Sequence, residues 1–134
     1  MSETAWAHLP NAKVIDEVIA DFIERPQTRG DAEAQVAAWC AAWGAAQVAA
    51  RVAVQDVAWD SALDATWAVA WDSARYEVQT AARDALLALI AWDSSADLLS
   101  LTPDALRTII DTCDGDVKHQ AVLLLPAVIA RSTV

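Results

Sequence analysis

The chain has 134 residues, the size of one domain, and its apolar 56% includes 31 alanines and seven tryptophans. Three glycines and four prolines exclude a wholly disordered chain, which is poor in apolar residues and rich in Pro and Gly, and disfavour a sandwich or barrel, whose many turns need them. A formal charge of -10 and a pI near 4.3 argue against ordinary nucleic-acid binding, because affinity for a phosphate backbone comes from Lys and Arg.

Alanine is the best helix former, so the expected fold is all-α: a long or broken Ala/Trp-rich helix packed with shorter N- and C-terminal helices in one bundle. The opening MSETAWAHLP has neither a basic region nor an apolar stretch, which is unlike a secretory leader. A first helix is predicted from Asn11 to Glu24. There Val14, Ile15, Val18, Ile19, Phe22 and Ile23 recur on one face, with Lys13, Asp16, Glu17, Asp21 and Glu24 on the other. Pro26 and Gly30 stop it, and Asp31 is placed to cap a second helical region, with Glu33 near the positive end of its dipole.

Between Asp31 and Trp92 there is no proline and the only glycine is Gly44, so the whole range reads as helix. An unbroken helix of that span would be about 93 Å long, against a radius of gyration of about 14 Å for a compact chain of this size. At least one break is therefore expected, with Gly44, Asp60-Ser61 and Asp72-Ser73 as candidates. Within the range, Ala38, Ala42, Ala46 and Ala50 stand four apart, a spacing that lets helices approach closely. Gln47 and Arg51 interrupt the run, so a membrane span is not expected and the alanine row serves a bundle.

After Trp92 the boundaries are sharper. Asp93, Ser94, Ser95 and Asp97 suggest a short capped helix ending near Ser100. Thr102-Pro103-Asp104 combines a cap, a proline at the first helical position and an acid in the first turn. That helix carries Leu106, Ile109 and Ile110 inward and ends before Asp114-Gly115. Asp116 is placed to cap a last helix, VKHQAVLLL, which meets Pro126 and either continues with a kink or ends in a short turn. The apolar run from Ala121 to Ala130 is expected to seal the core.

The middle of the chain repeats. AWDSA occurs at 58–62 and 70–74 and AWDSS at 91–95. On a helical wheel at about 100° per residue, Trp67 and Trp71 fall about 80° and 120° from Trp59, and Trp92 would join them on a continuous helix. Asp56, Asp60 and Asp64 fall among them, which makes the face both apolar and acidic. Two readings stay open. The tryptophans are core anchors on an alanine scaffold, or Trp59, Trp67 and Trp71 with Asp60, Asp64, Asp72 and Arg75 form a partly exposed partner-binding surface, since Trp is enriched in binding hot spots.

Catalytic chemistry finds no foothold in the text. His8 and His119 are the only histidines, no GxSxG, P-loop or GxGxxG occurs, and Cys40 and Cys113 lack ligand spacing. The run Asp111 to Asp116 has its glycine one place early for a calcium loop and no acid at the twelfth position. No enzyme activity, cofactor or metal is expected. Two other binding readings remain: a pocket for a nucleotide-like ligand, with Trp rings stacking and Arg51, Arg75 or Arg83 meeting an anion, and an acidic DNA mimic or virion component. One aspartate per about 6 Å of helix is sparse beside duplex DNA, which carries a charge per about 1.7 Å.

The tetrads running through AARDALLALIAWD, followed by DLLSLTPDALR, GD and AVLLLPAVIA, resemble small alanine-rich proteins of tailed bacteriophages and some bacteria. The likeness spans about 48–130. It implies a phage accessory factor in the host cytoplasm that binds and modulates or inhibits a host or phage protein, and it transfers no active site. Apolar faces on several sides of the repeat region also predict a homo-oligomer.

Overall fold

The computed structural model describes residues 6–25, 31, 35–71 and 76–132, with the side chains of these except 23, 56–71 and 76–78. Five α-helices and one 3-10 segment follow in order: α1 (Ala12–Glu24), α2 (Val36–Trp71), α3 (Tyr76–Ala91), the 3-10 segment (Asp93–Ser100), α4 (Pro103–Thr112) and α5 (Asp116–Ser132). No strand occurs among the described residues. The protein is an all-α bundle.

The core is organised around α5, which touches each of the other five elements. From Gln120 to Val128 every residue is buried, and so is Ala130. A helix apolar around its whole circumference has to sit inside the protein. Leu123, Leu124 and Leu125 project in three directions about 100° apart and all are inaccessible, each contributing about 1.5–3 kcal/mol by leaving water. The helix continues through Pro126 to Ser132, so the expected alternative of a stop at the proline does not occur.

Two predicted faces pack as their periodicity implies. Ile15, Val18 and Phe22 of α1 are buried and Lys13, Asp16, Glu17 and Glu24 are exposed. Ala42, Ala46 and Ala50 of α2 are fully buried with Val54, and α2 packs most extensively on α3, then on α5. With only a methyl group at each contact, the backbones come close.

The breaks in the repeat region differ from expectation. The helix runs through Gly44 and through Asp60-Ser61, and its one non-helical residue is Gln55, at φ 65° and ψ 158°. Neither glycine nor a capping pair causes the kink. A non-glycine residue in this region is strained by about 1–3 kcal/mol. Asp72-Ser73 lies outside the described residues. Trp92 belongs to no continuous helix with Trp59, because it follows α3 in an extended conformation that starts the 3-10 segment.

Capping was anticipated at some ends and not others. Thr102 accepts a hydrogen bond from the Ala105 N–H at 3.1 Å, with Pro103 at the first helical position and Asp104 in the first turn. Leu106 and Ile110 are buried and Ile109 half-buried. Asp116 is the first helical residue instead of the cap, because Gly115, at φ 76°, takes the turn and its carbonyl accepts from the His119 N–H at 3.2 Å. Asp31 lies five positions before α2, and its carboxylate pairs with Arg107 of α4. Pro26, Gly30 and Glu33 lie outside the described residues.

The carboxyl end of α3 terminates in the core, where its last carbonyls cannot reach water. Asn11, buried at the start of α1, donates its side-chain amide to the Leu89 carbonyl, and the Ser95 hydroxyl donates to the Ala88 carbonyl at 3.1 Å. No side-chain capping bond is made by Asn11 to its own helix; it caps another helix instead.

Two stability measurements test this account. Gln55→Gly is expected to raise the urea midpoint by an amount equivalent to about 1 kcal/mol, strain relief outweighing the entropy of glycine; an unchanged or lower midpoint would contradict the strain. Asn11→Ala should lower stability by about 1–3 kcal/mol by orphaning the Leu89 carbonyl, with amide exchange rising first in the last turn of α3.

Candidate functional site

The partner-binding residues predicted from sequence fall on the second part of α2 and just beyond it. Trp59, Asp60, Asp64, Trp67 and Trp71 are carried by a helical backbone with no irregular residue after Gln55, so the wheel geometry that groups them applies to this stretch. Their side chains lie outside the described residues, as do Asp72 and Arg75 altogether. Trp92, grouped with them on the wheel, is separated by the end of α3.

A second constellation, which sequence reasoning did not assemble, sits where α2 meets α3. The Arg83 guanidinium lies over the Trp43 ring, 5.1 Å from its centroid, and its Nε stands 4.0 Å from the Asp84 carboxylate. Asp84 is only 1% exposed, and Gln79 and Thr80 are buried beside it in sequence on α3. The Trp43 ring N–H is buried without a hydrogen-bond partner.

Low dielectric raises the stakes for such groups, because a buried charge is tolerated only when other groups compensate it. Here the cation is shared between a ring face, which attracts it through its quadrupole, and a carboxylate. That geometry joins two helices. Its signal was present in the sequence: within AARDALLALI, Asp84 stands three positions after Ala81 and four before Ala88, both of which are buried. A charged residue on the inward stripe is the mark of a paired core group.

Elsewhere the described surface offers little for chemistry. His8 meets the Ala53 carbonyl at 3.3 Å, while His119 stands in the first turns of α5. No group of three His, Cys, Asp or Glu is placed to hold a metal among the described residues, and both cysteines are free thiols. An open groove of about 320 Å³ lies between the start of α4 and the end of α5, lined by Leu99, Leu101, Pro103, Val128 and Arg131 among others. The Arg131 Nε already meets Asp21 at 3.1 Å, which joins the end of α5 to α1. None of the described helices is long and apolar enough to cross a membrane.

Arg83→Met keeps the stem that packs near Trp43 and removes the charge, so it should destabilise the protein by about 1–3 kcal/mol, and a cycle with Trp43→Leu should show coupling between the two positions. Additive effects would sink the cation–ring assignment. Comparison with protein-family models, with curated proteins and with solved structures found no match.

Proposed function

We propose that the protein acts by binding another protein, as a phage accessory factor that modulates or inhibits a host or phage target, with no catalytic step of its own. The observation that carries this reading is the helical stretch after Gln55. Because the backbone there is regular through Trp71, Trp59, Trp67 and Trp71 fall within an arc of about 120°, interleaved with Asp60 and Asp64. Large rings on a rigid helix bind with little loss of conformational freedom, and flanking aspartates add charge selectivity. Asp72 and Arg75 continue the same stretch of sequence as its polar border.

The reading as a pocket for a nucleotide-like ligand is less favoured, because Arg83, one of the arginines suited to an anion, lies over the protein's own Trp43, so the ring and the cation engage each other.

The test is affinity capture from host lysate, with the mass of the recovered complex measured. Trp67→Ala and Trp71→Ala should keep the helical circular dichroism and thermal midpoint of the native protein while losing the captured partner. Cooperative unfolding of both variants would assign the tryptophans to the core and overturn the binding surface. Release of the partner by duplex DNA, weakened by salt, would instead favour mimicry.

A further inference from the structure

The first part of α2 is apolar on two opposite sides, and the fold uses one of them. Ala42, Ala46, Ala50 and Val54 face the core. On the other side Val48 and Val52 are 67% and 79% exposed, and Ala37, Cys40 and Ala41 are exposed with them. Cys40, the half-buried Gly44 and Val48 form one row at four-residue spacing, flanked by Ala37, Ala41 and Val52. From this row we propose that two copies of the chain pair reversibly through the outer face of α2, antiparallel about a two-fold axis at Gly44.

Gly44 supplies the independent observation. Glycine weakens a helix relative to alanine, and nothing among the described residues requires one there: a Cβ at Gly44 would meet none of their atoms within 4 Å. At a helix crossing the missing side chain has a use, since it lets two backbones touch. The row is also self-complementary. A two-fold axis at Gly44 sets Cys40 against the partner's Val48 and Val48 against the partner's Cys40, the isologous arrangement of most dimers. Rows at four-residue spacing interdigitate at a crossing angle of about 50°.

Charge selects a second copy over other occupants. A chain of net charge -10 repels itself everywhere except through a face without acids, and from Gln35 to Gln55 there is no Asp or Glu and a single charged residue, Arg51. A basic partner would be drawn to the acidic remainder of the surface. The face from Ala37 to Val52 is about 22 Å long, and a single helix crossing of that length falls below the roughly 1,200 Å² at which stable interfaces begin, so the dimer is reversible.

Sedimentation velocity of the full chain from roughly 1 µM to 1 mM, a range suited to reversible pairing, should show monomer converting to dimer. Val48→Asp should raise the Kd at least tenfold without changing the thermal midpoint of the monomer. Gly44→Leu separates a close crossing from unspecific stickiness: it adds apolar surface yet should weaken pairing. In a Cys113→Ser background, Val48→Cys should form an oxidative dimer between Cys40 and position 48 of the other copy. Cys40 alone should not, because the two Cys40 residues stand about 12 Å apart along the axis, beyond the reach of a disulfide. A chain that stays monomeric at 1 mM, a dimer strengthened by Gly44→Leu, or cross-linking through Cys40 alone would each overturn the proposal. Because these measurements use the purified protein alone, their failure is distinct from failure to capture a partner through the tryptophans.

Discussion

The fold depends on enclosing helices on every side. Helix α5 is buried from Gln120 to Val128 and again at Ala130, and α3 from Gln79 to Ile90 except at Arg83; a helix of about 10 Å diameter can be enclosed only if neighbours approach all round it. The composition follows from that constraint. Ala42, Ala46 and Ala50 on α2, and Ala81, Ala82, Ala85 and Ala88 on α3, are almost inaccessible to solvent, so the walls are thin and the leucines of α5 fill the space between them. Alanine here serves twice, as a strong helix former and as a spacer of minimal width.

Enclosure brings backbone ends into the interior, and polar side chains remote in sequence satisfy them. Asn11 reaches Leu89 across 78 positions, and Ser95 turns back to Ala88. The buried Trp6 ring donates to the Asp16 carboxylate at 3.1 Å, which fixes the amino-terminal segment on α1. Asp21 binds two cations, Arg25 at 2.6 Å and Arg131 at 3.1 Å, linking the ends of α1 and α5. These groups are half-buried, where an ion pair adds more orientation than stability. Arg107 links α4 to the exposed Asp31 and pairs within its own helix with Asp104 at 2.8 Å.

How much of this could be read from sequence varied with the range of the forces involved. The boundaries of α1 and α4 were legible because caps, prolines and amphipathic period act within a few residues: Asn11 to Glu24 was expected and Ala12–Glu24 observed, and Thr102 caps as its neighbours Pro103 and Asp104 imply. The break in the repeat region was not. Gly44 and Asp60-Ser61 are local signals for a break that the helix ignores, whereas Gln55, with no breaking tendency, adopts a glycine-like conformation. Such a conformation persists only where the surrounding structure over-determines it, a constraint that local propensity does not encode. For the candidate site, the common arc of Trp59, Trp67 and Trp71 was legible from spacing. The meeting of Trp43 with Arg83 joins positions 40 apart and was not.

By itself the sequence determined the class and the parts of this protein: an acidic all-α chain, an alanine row for close packing, a carboxyl-terminal apolar run that must be buried, and tryptophans gathered on one stretch of helix. These follow from residue type and period, which act locally. Only the tertiary structure decided which apolar faces are used. The rows Ala42–Ala46–Ala50 and Cys40–Gly44–Val48 look alike in the text, yet the first is buried while Cys40 and Val48 of the second are exposed, because burial depends on which neighbours the enclosure of α5 brings near. It also decided that Asn11 serves a helix other than its own and that Asp84 is a core group, since a hydrogen bond or ion pair is made by proximity, and proximity between distant positions exists only in the fold.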